Sequence, residues 1–280
     1  MGGQGARVLK ERRPRHPQGS LVPFHRQSFD FTCGPACLLM AMRHFDPSLE
    51  ATRDLEVDLW REANLVEAYA SSRQGLALAA HRRGFRVRTQ GNAETVELLD
   101  CLRLDLDTSN RDVAVALHED VRRRCRAAGI PDTVAPVTLK AIRGWLTQGW
   151  VPLVLVDARL VGDEAVPHWV VVTDVEGGRV VFHDPLASRG GAARRMEEFE
   201  RRLGFRGVSC AVVVRGRRAA RAGHGSGRRG LAPSKGDRPT PGALLRKDRP
   251  HGGSGPGRRH RRSESEMGRL QKAGAWSTAV

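Results

Sequence analysis

The chain has 280 residues, 40% hydrophobic and 28% charged, with a formal net charge of +16. Residues 215–280 hold seventeen Lys/Arg against four Asp/Glu, residues 1–20 hold five against one, and residues 21–214 sum to −1. The basic pI therefore describes the two ends, and the near-neutral body argues against specific nucleic-acid binding as its function.

Five cysteines (33, 37, 101, 125 and 210) form no zinc or disulfide spacing pattern, and an odd count points to a reducing compartment. The start, Met1-Gly-Gly-Gln-Gly-Ala-Arg7, has no apolar core after it and does not read as a signal peptide. Ala6 argues against myristoylation, and the apolar stretch near Trp150–Val156 is too short to span a bilayer. The expectation is a cytoplasmic protein with no membrane partner.

In chain order, residues 1–20 are basic, contain Pro14 and Pro17, and read as a flexible arm. Next comes Gln27-Ser-Phe-Asp-Phe-Thr-Cys33-Gly-Pro-Ala36, followed by the apolar run Cys37–Met42. Gly34 and Pro35 suit the first positions of a helix, where their N–H groups are absent or unused. The spacing predicts a buried central helix from Gly34 to about Phe45, with Cys33 at its N-terminus. The helix dipole there favours a thiolate, and a thiolate is a nucleophile in need of a base.

Helical spacing predicts a second helix from Asp54 to about Ala70 and a third from Gly75 to Arg83, closed by Gly84. A strand Phe85–Thr89 follows, then a helix Asp112–Ala128 and a fifth, Leu139–Gln148, capped by Thr138. From there the pattern is β: Val151–Asp157, Trp169–Val175, Arg179–Phe182 and Val208–Val214, with a short helix Glu197–Leu203. The fold class is α+β, helices first and one sheet after, with a cleft between the two lobes. Residues 215–280 contain 13 Gly and 5 Pro without an apolar period. That composition predicts a disordered tail, and its Arg/Gly/Pro/Ala bias also resembles high-GC sequence read out of frame. The domains are an arm at 1–20, one body at 21–214 and the tail.

His168 opens the strand Trp169-Val-Val-Val, and the next strand ends at His183-Asp184-Pro185. A thiolate, an imidazole and a group that orients the ring form the minimum set for nucleophilic acyl transfer. The hairpin register tests the pairing. A three-residue loop pairs Val175 with Arg179 and brings Asp184 opposite Val170, diagonal to His168. A two-residue Gly177-Gly178 loop pairs Glu176 with Arg179 and turns Asp184 away. The chemistry prefers the first register. Asp174 lies six residues along the strand, roughly 20 Å away, too far to orient the ring. The Gln27 amide, with the Cys33 backbone N–H, could receive the negative charge that develops on a carbonyl oxygen.

The set Gln27-x5-Cys33-Gly-Pro-Ala, His168-Trp-Val-Val-Val and Asp184-Pro resembles the papain-like cysteine peptidases. Within them it is most similar to the family that trims double-glycine leader peptides in bacteriocin exporters. The segments Leu59-Trp-Arg-Glu-Ala63, Gly75–Phe85 and Val166–Val172 resemble a stand-alone bacterial branch found beside ATP-grasp glutamate ligases. The resemblance covers about residues 22–214. It implies Cys33 as nucleophile, His168 as base, Asp184 as orienter and Gln27 in the oxyanion hole. It also implies a peptide or protein substrate, no cofactor and no metal, and a functional link to an ATP-grasp ligase. The chain shows no exporter part and no membrane segment.

Plainer readings stand beside these. A cysteine before an apolar helix is commonly a small buried hydrophobe, and Cys37 reads that way. His44, His81 and His118 read as solvent-facing, and Arg82-Arg83 and Arg122–Arg124 as solvated faces. Trp60, Trp145 and Trp150 read as packing residues, and Trp169 as a cover over the histidine–aspartate pair. The same fold could serve as a silent peptide-binding module or as a thiol acyltransferase, and the basic tail as an anionic-polymer binder.

Overall fold

The computed structural model describes residues 22–65, 70–92 and 108–217. Helices α1 (Cys33–Phe45) and α2 (Arg53–Ala63) lead into short strands β1 (Asn64–Leu65) and β2 (Ala70–Ser71). Helix α3 (Arg73–Arg82) and strand β3 (Phe85–Gly91) come next, then helix α4 (Thr108–Ala127), strand β4 (Asp132–Val134) and helix α5 (Leu139–Thr147). The remainder is β5 (Val151–Asp157), β6 (Pro167–Glu176), β7 (Arg179–His183), β8 (Ala192–Arg195), helix α6 (Met196–Arg201) and β9 (Cys210–Arg217). β9 runs three residues past Val214, where the apolar pattern stops. The expectations for residues 1–20, for Cys101 and for the chain after Arg217 lie outside the described residues.

The fold is α+β, with the helix that carries Cys33 packed on a largely antiparallel sheet. Seven strands stand in the order β4-β3-β9-β5-β6-β7-β8, and only β3 and β4 run parallel. Residues of one parity along the central strands, such as Leu153, Leu155, Trp169, Val171 and Val212, pack with α1 to α4. Those of the other parity, such as Val154, Val156, Val170, Val172 and Val213, pack with α5 and Phe199 of α6. A sheet covered on both faces explains why β5 reads as one unbroken apolar run. The helical half also contributes β3 and β4 to the sheet, so both halves of the chain build one three-layer body. The fully buried run Cys37–Met42 makes α1 the central helix, since its apolar residues go all round.

Helix boundaries fall within a few residues of those read from the sequence, with one exception. α2 stops at Ala63 instead of continuing to Ala70, and the chain turns through the β1–β2 pair. Tertiary contacts cut the helix short. The Ser72 N–H donates to the Ala63 carbonyl at 3.0 Å, and α3 crosses at Gly75. A Cβ at Gly75 would stand 2.6 Å from Ala63 Cα and 3.0 Å from its oxygen. Both contacts are backbone, which cannot rotate aside. Gly75→Ala is therefore expected to cost about 1–3 kcal/mol, read as a fall of several degrees in Tm. An unchanged melting curve would refute the close approach of α2 and α3.

One further expectation is corrected by packing. His118 is buried, with neither ring nitrogen partnered, where α4 lies against α3. Burial, reinforced by the Arg122 and Arg73 charges, holds its pKa down to about 4, so it is neutral at pH 7. Arg82 and Arg83 both bind the Glu62 carboxylate, Arg83 at 2.7 Å. Trp169 lies in the core with α1 and does not line an open groove. Trp150 packs on the sheet's outer face under the Arg88 guanidinium, 4.0 Å above its ring.

Candidate functional site

Cys33 is the first residue of α1 and partly exposed, whereas Cys37, one turn in, is fully buried. Cys37 Sγ donates to the Trp169 carbonyl at 3.3 Å, and burial pushes its pKa well up. The two cysteines thus have opposite environments. The Cys33 and Gly34 N–H groups have no partner within the helix, and Pro35 has no N–H.

His168 enters β6 directly after Pro167, opposite Val156 of β5. Its Nε2–H donates to Asp184 Oδ1 at 2.8 Å, and both side chains are buried. The same oxygen accepts the Leu186 N–H at 3.0 Å, which holds the carboxylate in place. With Nε2 committed to Asp184, Nδ1 remains for the Cys33 thiol, which stands close enough to act on the ring by hydrogen bonding and charge. Burial alone would drive the proton off this histidine. Hydrogen bonds to Asp184 and Cys33, and the charges of both, outweigh burial and lift the pKa to about 9. The imidazolium is thus the resting form at neutral pH when it faces a thiolate.

The register that aligns Asp184 arises differently from the sequence expectation. The loop has two residues: Glu176 pairs with Arg179, and Gly177 and Gly178 both take positive φ, +60° and +75°. Such turns match the twist of the strands and favour glycine. That register alone would turn Asp184 away. A β-bulge between Val172 and Asp174 then shifts the ladder by one, so that His183 pairs with Val171. Asp184 is thereby brought level with Val170, as the chemistry prefers. The extra residue is Thr173, whose hydroxyl donates to the Val181 carbonyl at 3.2 Å. His183, the other candidate near this strand end, is held elsewhere. Its Nε2–H donates to the Val22 carbonyl and its Nδ1 accepts the Gly191 N–H.

Gln27 is buried beside the same turn, its N–H donating to the Pro185 carbonyl at 2.9 Å. Its Nε2 donates to the Phe29 carbonyl at 2.7 Å, which occupies one of the two amide hydrogens. Its Oε1 is buried without a partner. Gln27 also lines an open cleft of about 340 Å³ with Arg26, Ser28, Phe29, Asp30 and Leu186. The leucine is 46% exposed there.

The sequence reading missed the support beneath this loop, a buried carboxylate at Glu56. A signal for it exists. Glu56, Leu59 and Ala63 are the buried residues of α2, so an acid sits in the helix's apolar stripe. An ionised group there demands partners.

A partly exposed thiol thus opens α1, and a buried histidine–aspartate pair stands at the start of β6. The chain belongs to the Peptidase_C39 like family, whose model matches residues 22–200. No curated protein matches it. Among solved structures it is similar to the peptidase domain of Streptococcus ComA, a bi-functional ABC transporter involved in a quorum-sensing pathway. The identity there is 15% over 69% of this chain and 97% of that one, with a TM-score of 0.38. A double-glycine-motif protease from an AMS/PCAT transporter, in complex with its leader peptide, matches at 15% identity, 69% and 91% coverage and TM-score 0.36. A protein from Bacillus anthracis described as C39-like matches at 11% identity, 70% and 96% coverage and TM-score 0.42. Among the described residues, no helix is long and apolar enough to cross a membrane.

Proposed function

We propose that the protein is a thiol hydrolase that cleaves a peptide or isopeptide/amide bond. The observation that carries this reading is the buried His168–Asp184 pair at 2.8 Å with Cys33 against the ring. Cys33 Sγ attacks the carbonyl carbon, and the carbonyl π pair moves onto oxygen. The Cys33 N–H and the second amide hydrogen of Gln27 are the donors for that oxyanion. The His168 imidazolium gives its proton to the departing amine and leaves a thioester. Neutral His168 then takes a proton from water, whose oxygen adds to the thioester; the adduct collapses, the C–S bond breaks, and the acid and the Cys33 thiolate are released beside the imidazolium. Asp184 keeps the ring oriented throughout and stabilises its charged form.

Limiting iodoacetamide at neutral pH is expected to label Cys33 ahead of every other cysteine, read by peptide mass mapping. The contrast has a physical basis. Cys37 is fully buried, Cys210 is buried, and burial pushes the Cys125 pKa up to about 11. Equal labelling of all sites would sink the proposal. Products formed with added glycinamide separate hydrolysis from acyl transfer, since a new amide appears only if an amine can replace water.

A further inference from the structure

We infer that Glu56 is the positioning residue of the oxyanion loop, an assignment that rests on the hydrolase reading above. Glu56 is fully buried, and its carboxylate accepts hydrogen bonds from residues outside α2. Oε1 accepts the Ser28 backbone N–H at 2.8 Å, and Oε2 accepts the Ser28 hydroxyl at 2.9 Å and His25 Nε2–H at 2.8 Å. These partners flank Gln27 and lie 28 to 31 residues earlier in the chain.

Burial alone would favour the neutral acid. Hydrogen bonds from His25 and Ser28 outweigh it and hold the Glu56 pKa below the usual range, so the group is an anion. An anion accepts stronger bonds than a neutral acid. The loop they hold has its own closure. The Phe29 carbonyl accepts Gln27 Nε2–H at 2.7 Å, the Thr32 N–H at 3.1 Å and the Thr32 hydroxyl at 2.9 Å. Glu56 thus pins His25 and Ser28, Phe29 ties both the Gln27 amide and Thr32 to the same turn, and Thr32 leads into α1. The two donors of the oxyanion hole, on Gln27 and Cys33, are held in one frame by a single carboxylate from α2. The side chains of His168 and Asp184 make no hydrogen bond within that frame, whose tie to their turn is the Gln27 N–H on the Pro185 carbonyl at 2.9 Å.

This separation can be read with two reagents. p-Nitrophenyl acetate acylates a thiolate through a tetrahedral oxyanion, whereas iodoacetamide alkylates it by direct displacement without one. In Glu56→Gln the acylation rate at Cys33 is expected to fall by about 10- to 100-fold, with the alkylation rate and its pH profile within about threefold of wild type. Ser28→Ala, which leaves Glu56 and the core intact, is expected to lower acylation selectively by a smaller factor. Equal rates in wild type and both variants would overturn the assignment while leaving the hydrolase reading standing. A parallel fall of acylation and alkylation in Ser28→Ala would also overturn it, because the loop would then serve the thiolate itself. A wild-type protein that alkylates but does not acylate at Cys33 would remove the hydrolase reading and the Glu56 assignment together.

Discussion

His168→Ala is expected to lower turnover by about three orders of magnitude or more and to slow iodoacetamide alkylation of Cys33 at pH 7, with little change in fold. The imidazole does two things at once. In the proposed mechanism it stands as a cation beside the sulfur and favours negative charge there, and as an acid it protonates the leaving amine. Alanine removes both and leaves the Asp184 carboxylate buried near the cysteine without its partner. A negative charge there opposes the thiolate, so alkylation should slow further than loss of the base alone would give. Stopped-flow alkylation and acylation of the same samples measure the two roles separately. Wild-type alkylation in His168→Ala would mean that the thiol is not paired with this histidine.

Asp184→Asn is expected to move the alkaline limb of activity downward. In the wild type the His168 pKa is raised from 6.5 to about 9, so the imidazolium survives well above neutrality and activity falls as pH rises through about 9. Asparagine can still accept from Nε2–H, but it brings no charge. The limb should then retreat toward the ordinary histidine range, with a lower maximum. The same shift has a stability counterpart. A histidine whose folded pKa exceeds its unfolded one contributes stability fully present below about 6.5 and lost as pH rises through about 9. Between those limits wild type and Asp184→Asn should differ in the pH dependence of Tm, and well above them the difference should shrink. An alkaline limb that stays in place in Asp184→Asn would show that the aspartate does not hold the proton on His168.

Much of this arrangement was legible before any fold was drawn, because it is written in local chemistry. Gly34-Pro35 marks a helix start wherever it occurs, so Cys33 could be placed at that end of α1. Gly84 and Thr138 punctuate α3 and α5 in the same local way, and the Val-rich runs after Val151 read as strands of one sheet. The order of Gln27, Cys33, His168 and Asp184 could suggest a reaction from residue types alone. Other features depend on contacts between distant segments. His118 lies among charged neighbours in sequence, yet α3 and α4 seal it from water. The helical pattern after Ala63 is real, but Ser72 and Gly75 claim the end of α2 and turn the chain.

The sharpest division runs through the hairpin and the loop that meet at the site. Sequence by itself determined which residues could act, since a nucleophile, a base, an orienter and an amide donor are set by side-chain chemistry. It also gave reason to expect Asp184 level with Val170. Tertiary structure decided how: a two-residue glycine turn, then a bulge at Thr173 that restores the needed register. A strand ladder has period two, and a single inserted residue has no signature in local propensity. The tertiary structure also decided that Glu56 underlies the Gln27–Cys33 loop, because a buried carboxylate is explained only by the groups that reach it. Those groups lie one element away in space and more than twenty residues away in the chain.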